Sequence, residues 1–147
     1  MTEKNLFDDP KLKDGQYIVR IVGAVFDPKT KKVLLGKREN DPYIDGLTWC
    51  FPGSRTKDGE QIEDCMKRGI KEKTGIEVAS LGPIYARMHP EKPEFMTITY
   101  LCEPVGGELK AGEKFVEAKW FDIEELDGLD TAIKVSPKVV EYLMELK

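Results

Sequence analysis

Residues 17–27 set the strongest constraint on the fold, because Ile18, Val19, Ile21, Val22, Ala24, Val25 and Phe26 form a nearly unbroken apolar run rich in β-branched side chains. Such a run predicts a buried strand, and a chain built around one needs other elements to cover it. The polar cluster Asp27-Pro28-Lys29-Thr30-Lys31-Lys32 then reads as a turn, and Val33-Leu34-Leu35 as the returning arm of a hairpin.

After a loop holding Pro42, Asp45 and Gly46, residues 47–51 predict a short aromatic-rich strand stopped by Pro52-Gly53. From Glu60 to Thr74 the apolar residues Ile62, Cys65, Met66 and Ile70 recur at helical spacing, and Gly75 follows as a left-handed C-cap. One helix is expected over residues 60–74, with those four residues facing the core and Glu72 and Lys73 facing an open cleft. Residues 77–87 and 95–103 read as strands, Gly106-Gly107 as a break, and residues 115–121 as a further strand. A helical turn at residues 123–126 and a terminal helix at 136–146, N-capped by Ser136 with Pro137 at its first position, complete the series. Strands around one central helix and ending on another imply an α/β chain with a mixed sheet between helices.

A chain of 147 residues fits one domain, with residues 1–14 as a polar N-terminal extension. The charged content of 34% mixes both signs, and the net charge of −4 comes with no basic run interleaved with aromatics, so no nucleic-acid footprint is visible. Cys50, Cys65 and Cys102 are odd in number and far apart, which fits neither a disulfide framework nor a zinc or redox pair. A reducing cytoplasm suits them, and no segment has the length or apolarity of a signal peptide or membrane span.

Residues 52–76 read PGSRTKDGEQIEDCMKRGIKEKTGI. This stretch resembles the box of the Nudix hydrolases: a Gly, five residues, a Glu, seven residues, then Arg-Glu-apolar-x-Glu-Glu-x-Gly-apolar. In that register Glu60, Arg68, Ile70, Glu72, Gly75 and Ile76 match, while Ser54 replaces the leading Gly, Gly69 the Glu after Arg, and Lys73 the second paired Glu. VLLGKR at 33–38, WCFPG at 49–53 and EAKWFDIEEL at 117–126 are similar to the segments that flank the box. The resemblance implies a Nudix-type α/β/α sandwich over nearly the whole chain.

In a complete box the side chains at 69, 72 and 73 converge on one helical face, and three carboxylates there hold a hard divalent cation, usually magnesium. Here the three are Gly69, Glu72 and Lys73, so the formal charge falls from −3 to 0 (none, −1, +1). Magnesium binding is therefore expected to be weak or absent. A helical Gly costs about 1 kcal/mol against Ala, so replacing Gly69 is expected to regain stability, and Gly69→Glu with Lys73→Glu to rebuild the acidic face. Gly69 otherwise makes room for a ligand group, with the Lys73 ammonium standing where a cation would and pairing with phosphate directly.

The remaining candidates follow from the same resemblance. Glu72, Glu60 and the backbone carbonyl near Ser54 are the metal ligands it implies, and Arg68 orients a carboxylate of the box; Glu60 as a helix cap and Arg68 paired with Asp64 are the plainer alternatives. Arg38 and Arg55 border the cleft and could grip a diphosphate. Glu113 or Glu117 could compensate for Gly69, though a solvated strand end explains either. His89 reads as a surface loop residue, and Trp49, Phe51, Trp120 and Phe121 as core aromatics that could also stack a base.

Two functions remain open at this point. One is a magnesium-dependent hydrolase of a nucleoside diphosphate linked to another group, with LLGKR and W-x-F-P-G-x-R similar to the GDP-sugar hydrolase branch. The other is a module that binds a nucleotide or nucleotide-sugar without cutting it. Nudix domains often pair, which leaves a homodimer open.

Overall fold

The apolar run becomes β1 (Ile18–Asp27), and the two-residue period of a strand divides its side chains between two cores. Ile21 and Val25 enter one with Leu34, Cys65, Met66, Ile70 and Cys102; Val22, Ala24 and Phe26 enter the other with Val33, Leu35, Leu101, Phe121, Val139 and Leu143. A strand buried from both sides has no polar face, which is why its sequence does not alternate. The computed structural model describes residues 13–38, 48–89, 93–112, 114–128 and 135–147.

The hairpin partner is β2 (Lys32–Arg38), followed by β3 (Thr48–Cys50), β4 (Gly53–Arg55), α1 (Ile62–Thr74), β5 (Ile76–Met88), β6 (Phe95–Gly107), β7 (Phe115–Asp122), a 3-10 turn at Ile123–Gly128, and α2 (Pro137–Glu145). The sheet runs β3-β2-β1-β6-β5, with β7 added on β2 and β4 on β1. β1 and β6 are parallel and the other pairs antiparallel, giving the expected mixed sheet. Helix α1 closes one core and α2 the other, so the α/β/α sandwich holds. No helix among the described residues is long and apolar enough to cross a membrane.

Several boundaries differ from the sequence reading. Helix α1 begins at Ile62 behind an N-cap at Gln61, so Glu60 lies in the preceding loop. Ile62 is 40% exposed and not a core residue, because it sits a turn short of the buried pair Cys65-Met66. Gly106-Gly107 does not break β6: Gly107 adopts φ 83°, and a Cβ there would lie 2.2 Å from the Gly75 carbonyl oxygen, so glycine lets the strand run on past the end of α1. Pro52-Gly53 likewise interrupts rather than ends the strand structure, since Gly53, Ser54 and Arg55 pair with Val22, Ile21 and Arg20. The loop at 39–47, residues 1–12 of the 1–14 extension, and Glu113 lie outside the described residues. Gly75 is the left-handed C-cap of α1, and Ser136 caps α2 by accepting the Lys138 N–H at 3.3 Å.

Gly69 is where α1 meets β4. A Cβ on it would lie 2.6 Å from the Ser54 Cβ, 2.9 Å from the Gly53 carbonyl carbon and 3.0 Å from the Gly53 oxygen. The space that a side chain would need is filled by the Ser54 Cβ and the Gly53 carbonyl, which overturns the expectation that Gly69 makes room for a ligand. Overpacking of this kind costs about 1–3 kcal/mol, against about 1 kcal/mol regained in helix propensity. Gly69→Ala is therefore expected to lower the urea midpoint, the reverse of what propensity alone implies, and an unchanged or raised midpoint would show that the loop yields without cost.

Candidate functional site

The loop before α1 folds back so that Glu60 meets the helix from outside. Gly59 takes φ 78°, the Glu60 N–H donates to the Lys57 carbonyl at 3.0 Å, and the Lys57 N–H donates to Glu60 Oε1 at 3.3 Å. Arg68 then grips the Glu60 carboxylate with two bonds, Nε to Oε2 at 2.7 Å and Nη2 to Oε1 at 2.9 Å. The same guanidinium reaches Glu72 Oε2 through Nη1 at 3.2 Å and the Arg55 carbonyl through Nη2 at 3.3 Å. Arg68 thus pairs with Glu60 and Glu72 and not with Asp64, and Glu60 is an ion-pair partner and not a helix cap. Both matching glutamates of the box are committed to one guanidinium, in a fork geometry that favours bidentate pairing.

That pairing holds the Glu60 carboxyl at about 2, chiefly through its hydrogen bond from Arg68, and raises Arg68 above the usual arginine range. Glu72 is open to solvent on its other side, with its side chain 41% exposed.

Lys73 departs from the expected open orientation. It is partly buried, and its ammonium donates to the Gly53 carbonyl beside β1. Burial pulls its pKa down to about 8, and the positive charges of Arg20, Arg38 and Lys114 push the same way. Arg20 and Arg55 are directly opposed across β1 and β4, so their side chains leave the sheet on one face. Arg38 has a buried Nε with no hydrogen-bond partner among the described residues. Lys73 on the Gly53 carbonyl thus lies within electrostatic range of Arg20 and Arg38, and among the described residues no ion pair joins Arg20, Arg38 or Lys73 to a carboxylate.

A pocket opens beside this cluster. Arg20, Arg87 and Cys50 lie at its lining together with Phe51, Tyr85 and Val139, so positive charge adjoins an apolar and aromatic wall. Arg20 is not among the residues the sequence pointed to; a charge inside an otherwise buried strand is the signal that finds it. Of the aromatics, Phe51 and Phe121 are core residues, Trp120 packs under α1, and Trp49 stacks edge-on against Phe121 at 4.8 Å with Lys37 and Lys119 over its ring. Glu117 is exposed on β7 opposite Lys37, and His89 is half-buried just after β5, its N–H donating to the Phe95 carbonyl.

The donor set does not fit a divalent cation. Glu60 and Glu72 are taken up by Arg68, position 69 offers no ligand and no space for one, and an ammonium sits on the Gly53 carbonyl. The Ser54 carbonyl faces the Cys65 thiol at 3.7 Å. No cluster of three or more His, Cys, Asp or Glu that could hold a metal occurs among the described residues.

The sign of the Glu60 shift fixes an acid-stability signature. A depressed carboxylate contributes stability that is fully present above its ordinary value of 4.5 and is lost as pH falls towards about 2. Glu60→Gln is expected to remove that limb, and a folded-state Glu60 titrating at its ordinary value by NMR would contradict the Arg68 pairing.

The described geometry has close parallels. The NUDIX domain family model matches residues 17–143. The ADP-ribose pyrophosphatase of Methanocaldococcus jannaschii is 37% identical over 106 residues, covering 69% of this chain and 60% of that protein. The NAD-capped RNA hydrolase NudC of Chromobacterium violaceum is 29% identical over 85 residues, covering 57% of this chain and 32% of that protein. This chain thus spans less than two thirds of the length of the curated relatives it matches. A NUDIX hydrolase structure from Nitrosomonas europaea superposes with a TM-score of 0.76 at 18% identity, covering 90% of this chain and 73% of that one, which is a likeness of fold. With the sandwich, the helix and the box register all in place, the chain belongs to the NUDIX domain family.

Proposed function

We propose that the chain takes as its ligand a nucleoside diphosphate linked to a second moiety, such as ADP-ribose or a nucleotide-sugar, and hydrolyses the diphosphate bond. The observation that carries the ligand class is Arg20, which lies within electrostatic range of Lys73 and also lines a pocket walled by Phe51 and Tyr85. Guanidinium and ammonium groups match phosphate oxygens, and an aromatic wall suits a base or sugar. The likeness to an ADP-ribose pyrophosphatase supports both the ligand and the reaction.

A second reading, binding without cleavage, is favoured by one observation. Both matching glutamates are held by Arg68 while Lys73 occupies the Gly53 carbonyl, so no residue among those described is set to activate water through a metal. The buried, unpaired Cys50, Cys65 and Cys102 support placing the chain in the reducing cytoplasm, and its net charge of −4 supports a small ligand over a nucleic acid. Pairing of two copies belongs to the same reading and is open to sedimentation.

Incubation with ADP-ribose, NAD and nucleotide-sugars, followed by phosphorus NMR, separates the readings. Hydrolysis adds one water across the diphosphate and yields two monophosphates in equal amounts; binding alone returns the ligand intact. Arg20→Ala is expected to weaken the bound ligand about tenfold or more, as loss of a charge-assisted contact does. An affinity for every member of the panel that Arg20→Ala leaves unchanged would remove the pocket from the account.

A further inference from the structure

We infer that Lys73 is a tethered counterion for the diphosphate, so that this chain holds its ligand without a divalent cation. The inference rests on the ligand class proposed above and concerns how that ligand's charge is balanced.

Three observations converge on it. The first is position: Lys73 is carried one turn beyond Gly69 on α1, and its ammonium is seated on the Gly53 carbonyl at the junction of helix, β4 and β1. An ammonium has three N–H donors, and the carbonyl takes one of them, leaving two for phosphate oxygens. The second is charge. Arg20 and Arg38 lie within electrostatic range of Lys73, and among the described residues no ion pair joins any of the three to a carboxylate. Like charges assembled in this way repel one another until an anion arrives, and the buried Nε of Arg38 still lacks an acceptor. A divalent cation arriving there meets the same repulsion.

The third observation is that the route back to a metal site is closed. A side chain at position 69 would begin within 3 Å of the Ser54 Cβ and the Gly53 carbonyl, and the two glutamates that remain are both bonded to Arg68. A lysine that merely lay on the surface would not be drawn inward onto a backbone carbonyl beside Arg20 and Arg38. The burial of a charged group against like charges is offset only if a strong anionic partner completes the site. A diphosphate diester, with one charge on each phosphorus, is that partner.

Calorimetric titration of the full chain with ADP-ribose and with inorganic pyrophosphate, each in EDTA and again in millimolar magnesium, tests this. The expected result is equal affinity in the two media, within about twofold, and a loss of about tenfold or more in EDTA for Lys73→Gln. Unmodified protein that binds only with magnesium overturns the inference and leaves the ligand class standing; so does Lys73→Gln binding as tightly as the unmodified chain. Metal-free binding of pyrophosphate without binding of ADP-ribose supports the inference and removes the nucleoside from the proposed ligand. Failure of both probes in both media overturns the two together. The comparison of media uses the unmodified chain and decides the matter even if Lys73→Gln does not fold.

Discussion

The contact between α1 and β4 at Gly69 governs the chemistry of this molecule. Because the helix lies directly on the Gly53–Ser54 backbone there, no side chain fits between them. Everything that a divalent site would need at that point is displaced: the ligand at 69 is gone, the carbonyl at Gly53 is turned to Lys73, and the remaining acids are left to Arg68. A single close approach of backbone to backbone, possible only for glycine, thus reorganises the charge of a whole helical face.

Arg68 and Lys73 divide the consequences between them. Arg68 pairs with both Glu60 and Glu72, tying the loop before the helix to its last turn. Lys73 turns inward and joins Arg20, Arg38 and Lys114. The helix therefore carries its two acids on Arg68 and directs its ammonium towards the sheet. Arg20 also lines a pocket with an aromatic wall, which is where an anionic ligand with a ring would find complementary surfaces.

The sheet, the cores and both helices were legible in the sequence because their causes are local. β-branched runs, the apolar period of Cys65, Met66 and Ile70, and the Ser136-Pro137 cap each act within a few residues. The box register was legible for the same reason, since its spacing is unbroken. What escaped depended on neighbours distant in the chain. Gly69 reads as a propensity cost until Gly53 and Ser54, fifteen or so positions earlier, are seen against it. Lys73 reads as facing an open cleft until the Gly53 carbonyl is beside it, and Arg20 draws no notice until β4 brings Arg55 opposite. Gly106-Gly107 looked like a stop because a glycine that permits close packing and one that ends a strand are the same residue in sequence.

The central claim is that the point between Gly53, Gly69 and Glu72 is closed to divalent cations. Manganese titrated into nitrogen-15-labelled protein examines it directly, since a bound paramagnetic ion erases amide signals within its reach. The account predicts that the amides of Gly53, Gly69 and Lys73 keep their intensity at stoichiometric manganese. Selective loss of those three signals, saturating with one ion per chain, would contradict it.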